Sequence, residues 1–161
     1  MGIKDVLKGC PLFFDLYDEE IEKITSDQNV MHFEKDELII EEGQLGDQIF
    51  LLLEGVAELE KQTPDGRVRV EKFKPGEVFG LLIMLDSTKY GIDLRALTKC
   101  TVLELKHKNL LKLFEKNPRI FGVLAMNISR IMAKRLKIFQ RRLAEVKGEM
   151  RELKEQLEDM T

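Results

Sequence analysis

Hydrophobic and polar positions change rhythm three times along the chain. In the first stretch Val6, Leu7, Phe13, Phe14, Leu16, Ile21 and Ile24 fall in brief clusters that predict short helices. Asp18 before Glu19-Glu20 predicts an N-cap followed by an acidic first turn. From Val30 to Leu105 short runs of Val, Ile, Leu and Phe are punctuated by Gly43, Gly46, Gly55, Pro64-Asp65-Gly66, Pro75-Gly76, Gly80 and Gly91, the texture of an antiparallel sandwich or roll. Ala57 and Leu59 alternate with Glu58 and Glu60, and Val68 and Val70 with Arg67, Arg69 and Glu71. The turn residues Thr63-Pro64-Asp65-Gly66 between these runs predict a hairpin. After Leu105 the period becomes helical: Leu110, Leu111, Leu113 and Phe114 make a short amphipathic helix ending near Asn117-Pro118. Asn117 as N-cap and Pro118 as first helical residue then start another.

That last helix carries the strongest periodicity in the chain. Met132, Leu136, Phe139, Leu143, Val146, Met150, Leu153, Leu157 and Met160 recur in alternating steps of four and three, a heptad pattern. A helix from Pro118 to about Met160 is roughly 60 Å long at 1.5 Å per residue, longer than its own domain is wide. Its apolar residues forgo on the order of 1.5–3 kcal/mol each if left in water, so a second helix should cover them, most simply that of another copy. The alternatives are a helix folded back on the body or docked to a different protein. With Leu136 at a and Phe139 at d, a parallel pair sets Glu149 against Lys154, which attract, and Arg142 against Lys147, which repel. Charge at those positions therefore leaves the strand direction open. Gly148 falls at the outward f position and weakens the helix by about 1 kcal/mol relative to Ala. Lys134, Arg135, Lys137, Arg141 and Arg142 form a basic stretch, read as a solvated helix face rather than a phosphate-contacting stripe.

The 161 residues, 43% hydrophobic and 34% charged, suit one domain of ordinary core size with an appended element, divided as 1–117 and 118–161. The balance excludes a collagen, a disordered tail and a disulfide scaffold. A net charge of −3 provides no global field for nucleic acid. The charge is uneven: residues 1–117 hold 16 basic and 23 acidic side chains, residues 118–161 hold 10 and 6. Cys10 and Cys100 have neither the spacing of a metal knuckle nor the number of a disulfide framework, which points to a reducing compartment. The apolar runs Ile49–Leu53 and Leu81–Leu85 are far short of the roughly 20 residues that span a bilayer, and no apolar stretch precedes Cys10 as a signal peptide would require. The cytoplasm is the expected location. No nucleophile-base pair, paired carboxylates or phosphate loop followed by Lys-Ser or Lys-Thr marks an enzyme.

The run Lys35-Asp36-Glu37-Leu38-Ile39-Ile40-Glu41-Glu42-Gly43-Gln44-Leu45-Gly46-Asp47-Gln48-Ile49-Phe50, then Leu53-Glu54-Gly55-Val56, then Pro75-Gly76-Glu77-Val78-Phe79-Gly80, resembles the cyclic-nucleotide-binding domain of the cyclic-AMP receptor protein (Crp/Fnr) family over roughly residues 10–140. The resemblance implies a mainly β fold with flanking helices: an eight-stranded jelly roll, or double-stranded β-helix, followed by a long C-terminal coiled-coil helix that makes a parallel dimer in that family. Gly43, Gly46, Gly55 and Gly76 suit the tight turns of such a roll.

In the family a phosphate-binding cassette follows the Phe-Gly pair. A short helix offers N–H groups to the cyclic phosphate, a Glu holds the ribose hydroxyl and an Arg about nine residues later pairs the phosphate. Aligned on Phe79-Gly80 and on Leu94-Arg95-Ala96-Leu97-Thr98, the chain places Leu81 where that Glu stands and Tyr90 where that Arg stands. The resemblance thus yields a degenerate pocket of Phe79, Gly80, Leu81, Leu82, Ile83, Tyr90 and Gly91. A hydrogen bond to a charged group contributes about 1.5–3 kcal/mol, so loss of the guanidinium alone weakens phosphate binding by roughly 10- to 150-fold. Weak or no binding of cyclic AMP or cyclic GMP is the expectation, with Arg95 the one cation that would have to swing in. The greasy run Leu81 to Leu85 either fills the cavity, the favoured reading, or admits an apolar effector. Haem on His32 and His107 with Cys10, Cys100 or a Met lacks a flanking motif and is not favoured, so no cofactor or metal is expected.

The chain is accordingly read as a non-enzymatic regulatory or sensory homodimer, paired through Met132, Leu136, Phe139, Leu143, Val146, Met150, Leu153 and Leu157. Nothing in these residues resembles the family's helix-turn-helix module, and neither nucleic acid nor a membrane is an expected partner; an additional protein partner is left open. The alternatives are a genuine cyclic-nucleotide receptor with altered contacts, the effector half of a transcription regulator lacking its DNA-binding module, or a ligand-free coiled-coil scaffold.

Overall fold

A computed structural model describes residues 2–84 and 89–161, with Ile83 and Met84 described through their backbone alone. The N-terminal region forms α1 (Ile3–Gly9), a 3-10 turn (Pro11–Phe13) and α2 (Asp18–Thr25). Asp18 is not the cap of α2. Tyr17 takes that place, and its N–H donates to the Glu20 carboxylate at 2.8 Å, so Asp18 becomes the first helical residue. Asp18, Glu19 and Glu20 then lie together in the first turn, where the helix dipole favours them.

Among the described residues eight strands follow: β1 (Asn29–Phe33), β2 (Leu38–Ile40), β3 (Gln48–Glu54), β4 (Ala57–Thr63), β5 (Gly66–Phe73), β6 (Val78–Phe79), β7 (Asp93–Ala96) and β8 (Cys100–Lys106). They make two antiparallel four-stranded sheets, in the orders β1-β8-β3-β6 and β2-β7-β4-β5. This is the jelly roll. The predicted hairpin is β4 and β5, in register from Ala57 opposite Phe73 to Thr63 opposite Gly66, with Pro64-Asp65 as its loop. Gly66 supports it with φ +120°, a conformation that costs other residues strain. Ile40, Phe50, Leu52, Ala57, Phe73, Phe79, Leu94, Ala96, Cys100 and Val102 form the core of the roll, with Tyr90 among them.

The opposite face of β4 departs from the pattern of an exposed polar side. Glu58 and Glu60 are buried, because long arginines on the neighbouring strands lie over them. Arg95 Nε is 2.9 Å and Arg67 Nε 3.4 Å from Glu60; Arg69 Nε is 3.6 Å from Glu58. Among the described residues Glu58 Oε2 makes no hydrogen bond.

After β8 come α3 (His107–Lys116) and α4 (Pro118–Asp159). The Asn117 side chain accepts from the Ile120 N–H at 3.4 Å, as an N-cap should. The chain divides into two compact units, residues 1–127 and 128–161, so the first turns of α4 group with the roll. Their attachment is specific: Ile120 and Leu124 are buried, and Asn127 Nδ2 donates to the carbonyls of Leu12 at 2.9 Å and Phe14 at 2.7 Å. Arg119 pairs with Glu20 and lies 5.3 Å from the Tyr17 ring centre, while Phe114 meets Phe121 edge-on at 5.3 Å. The second unit is the remainder of α4. Among the described residues no helix is long and apolar enough to cross a membrane.

Candidate functional site

Where β6 ends, Phe79 stacks on Phe50 at 5.6 Å and meets Phe73 edge-on at 5.6 Å, anchoring the segment to the core. Gly80 follows with φ +83°, and a Cβ there would press to 3.1 Å from the Gln48 carbonyl, so the chain can turn here only without a side chain. The backbone then makes a 3-10 turn from Leu81 to Met84. Leu81 is 3% exposed and Leu82 69%, so adjacent residues of the cassette run split between interior and surface. The backbone of Ile83 belongs to this turn, whereas Leu85 lies outside the described residues.

Tyr90 is held at four points. Its N–H donates to the Gln44 carbonyl at 2.9 Å, its own carbonyl accepts from the Gly43 N–H at 2.8 Å, and its hydroxyl donates to the Gln48 carbonyl at 2.9 Å. Its ring fits against Gly46 so closely that a Cβ on Gly46 would come within 2.4 Å of the ring. Gly46 therefore serves a close approach rather than a turn requiring positive φ. Burial pushes the Tyr90 phenol up to about 12, and the negative charges of Asp47 and Glu104 push the same way. Glu104 is buried on β8 opposite Phe50 and accepts from Asn29 Nδ2 at 3.1 Å. Both charges that bear on the Tyr90 hydroxyl are thus carboxylates, a poor setting for a phosphate. Gly91 beyond it is exposed, and its carbonyl accepts from Lys61 Nζ at 2.7 Å.

Arg95, the cation that would have to swing toward a phosphate, is engaged elsewhere. Besides Glu60 it bonds the Asp36 carbonyl through an Nη at 2.6 Å. His32 meets Thr101 at 3.3 Å, and the Thr101 hydroxyl donates to Glu54 at 3.1 Å. The Cys100 thiol donates to the Val56 and Thr98 carbonyls, each at 3.3 Å, and burial pushes the Cys10 thiol up to about 11. Among the described residues no three His, Cys, Asp or Glu side chains gather as metal ligands do. The heptad residues from Met132 to Leu157 stand on α4 and Met160 directly follows it, with Met132 half-buried and those from Leu136 to Met160 between 39% and 81% exposed.

Sequence reasoning named Phe79, Gly80, Leu81 and Tyr90; Phe79, Gly80 and Tyr90 lie at the Gln48 end of β3, and Leu81 is buried at the start of the turn beyond them. It did not find Gly46 as the seat of the Tyr90 ring, nor Asp47 and Glu104 beside it. The glycine two residues before Gln48 was the available signal for the first.

A short turn entered from a phenylalanine-glycine step, at the mouth of an eight-stranded roll flanked by helices, defines a cyclic-nucleotide-binding type of domain. Residues 30–117 match the family model for the cyclic nucleotide-binding domain, and the chain belongs to that family. It is 27% identical over 132 residues to the cyclic AMP receptor protein of Thermus thermophilus, spanning 81% of this chain and 59% of that receptor's length. The N-terminal domain of a transcriptional regulator from Streptomyces coelicolor superposes with a TM-score of 0.73 at 27% identity, over 81% of this chain and 94% of that one. A cyclic nucleotide-binding domain from Methylobacillus flagellatus shares the fold, with a TM-score of 0.79 at 21% identity over 89% of this chain and 82% of that one.

Proposed function

We propose that the chain is a non-enzymatic regulatory module of the cytoplasm, a homodimer joined through α4, whose roll has given up tight binding of cyclic AMP and cyclic GMP. One observation carries this reading. Tyr90 stands where the family's resemblance places the phosphate-binding arginine, and its ring and hydroxyl are committed to Gly46 and to the Gln48 carbonyl. The nearby charges are carboxylates, and the Leu81 side chain, buried in the roll, has no oxygen to offer a ribose hydroxyl. The regulatory role rests on the kinship with Crp-type relatives; the exposed apolar seam of α4 supports the dimer. No cofactor, membrane or nucleic acid enters the reading, and a further protein partner fits it.

Calorimetric titration with cyclic AMP and with cyclic GMP tests the proposal. The expected result is no saturable heat in the micromolar range, and a gain of binding in the double variant Leu81→Glu/Tyr90→Arg. Micromolar binding by the parent chain would establish instead a receptor with altered contacts. A second reading, the effector half of a transcription regulator, is favoured by the match to the Streptomyces domain over nearly all of that chain.

A further inference from the structure

On β4 the usual order of burial is reversed. Glu58 and Glu60 lie on the outward side of the strand, yet they are only 4% and 3% exposed beneath the arginines laid over them. Leu59 between them packs against the core from inside the roll, yet it stays partly open to water, as do Met31 and Phe33 on β1. An apolar side chain on an inner face keeps contact with water only where its neighbours leave it uncovered, so the interior retains an unfilled stretch of apolar wall. Leu82 of the cassette does not occupy it, being 69% exposed.

That wall carries negative charge. Glu71 on β5 lies directly opposite Leu59 and two residues before the core residue Phe73, so it shares their inward side. It is partly buried and, among the described residues, has no ion pair. On the facing sheet Glu104 lies opposite Phe50 and two residues beyond Val102, again on the inward side, and its hydrogen bond comes from the neutral Asn29 amide. The neighbouring cations are engaged elsewhere. Arg67, Arg69 and Arg95 lie over Glu58 and Glu60 on the outward side, while Lys61 is tied to the Glu42 carboxylate and the Gly91 carbonyl. A carboxylate drawn partly out of water and left without a counter-charge attracts a cation more strongly than one in bulk solvent.

We propose that the inner face of the roll at Leu59 and Glu71 binds an organic cation, a protonated amine set against the Glu71 carboxylate on an apolar body laid over Leu59. This deepens the regulatory reading above and rests on it: an interior ill suited to a cyclic phosphate takes an effector of the opposite charge.

Tryptamine and indole-3-propionate share a ring and a two-carbon chain and differ in the charge at its end, so this pair of probes tests the class of ligand. Titrated calorimetrically into the full chain, tryptamine should saturate and indole-3-propionate should bind at least about tenfold more weakly, losing a charge-assisted contact. Glu71→Gln removes the charge at nearly constant shape and should weaken tryptamine by roughly 10- to 150-fold. Glu71→Lys should reverse the preference between the two probes. Residues 1–117 hold 23 acidic and 16 basic side chains, so an amine can also gather on the outer surface. Equal tryptamine affinity in the parent and in a folded Glu71→Gln would identify that behaviour and overturn the proposal. Methyl resonances read the site in the parent chain without any variant: those of Leu59 should shift and saturate with the same constant as the heat, and saturable binding that leaves them unmoved overturns the site. No saturable heat with tryptamine overturns the proposal while leaving the reading above intact. Micromolar cyclic AMP that displaces bound tryptamine would do the reverse, removing that reading and keeping the site.

Discussion

The roll and the C-terminal rod treat apolar surface in opposite ways. In the roll Phe50, Phe73, Phe79, Leu94 and Val102 are almost wholly withdrawn from water, and even the strand carboxylates Glu58 and Glu60 are covered by arginines of the same chain. In the rod a comparable set of large apolar side chains stays in the open. Burying a Leu or Met is favourable by about 1.5–3 kcal/mol, so the roll has collected its stabilisation internally while the rod still holds most of its own in reserve. A domain that completes itself and a helix that does not invite different tests. Damage to the first should appear as lost stability, and damage to the second as lost association.

The sharpest separation comes from Leu143→Asp, which places a carboxylate in the middle of the apolar seam. The expected outcome is complete conversion of the proposed dimer to monomers by light scattering, with the melting of the roll unchanged. If the variant remains a dimer, the seam is not the interface. In the roll, Gly46→Ala drives a Cβ to 2.4 Å from the Tyr90 ring and should cost about 1–3 kcal/mol in denaturant unfolding, without affecting the dimer. In a Tyr90→Ala background, which has already lost the buried ring, Gly46→Ala should cost far less than it does in the parent, because the clash is with that side chain alone. Additive losses in the double variant would place the strain elsewhere.

Much of this contrast was legible in the residue pattern. The hairpin at Pro64-Asp65, the helix start at Asn117-Pro118 and the heptads are local signals, and local signals need no knowledge of the fold. Glu58 and Glu60 were not legible as buried, because their covers Arg67, Arg69 and Arg95 arrive from two other strands, one of them some 35 residues away in the chain. Tyr90 could be aligned with the missing arginine, but the direction of its ring depends on Gly46 and on a carbonyl of β3, which only the folded loop brings together. The cap of α2 moved by one residue for a similar reason: the Glu20 carboxylate reaches back to Tyr17 and sets the first turn there.

Tyr90 also gives the roll a pH signature that the rod should lack. Its phenol, ordinarily near 10, is raised to about 12 by burial and by Asp47 and Glu104. The folded state therefore holds this proton more tightly than the unfolded one. The resulting contribution to stability is complete below pH 10 and disappears as the pH rises from 10 to about 12. Unfolding measured across that window should show the loss in the parent chain and a smaller one in Tyr90→Phe. An identical slope in both would mean that the hydroxyl is not held as described.

The smallest expected effect belongs to the rod. Gly148 lies within α4 at the f position, and an added Cβ meets nothing within 4 Å. Gly148→Ala should therefore act through backbone entropy alone, stabilising each helix by about 1 kcal/mol and tightening association, while the melting of the roll stays where it is. The sign is informative because the heptad frame predicts it. If Gly148 faced a partner helix, the added methyl group would crowd that contact and weaken the dimer. A looser dimer in Gly148→Ala would mean that the seam is rotated from Leu136, Leu143 and Met150.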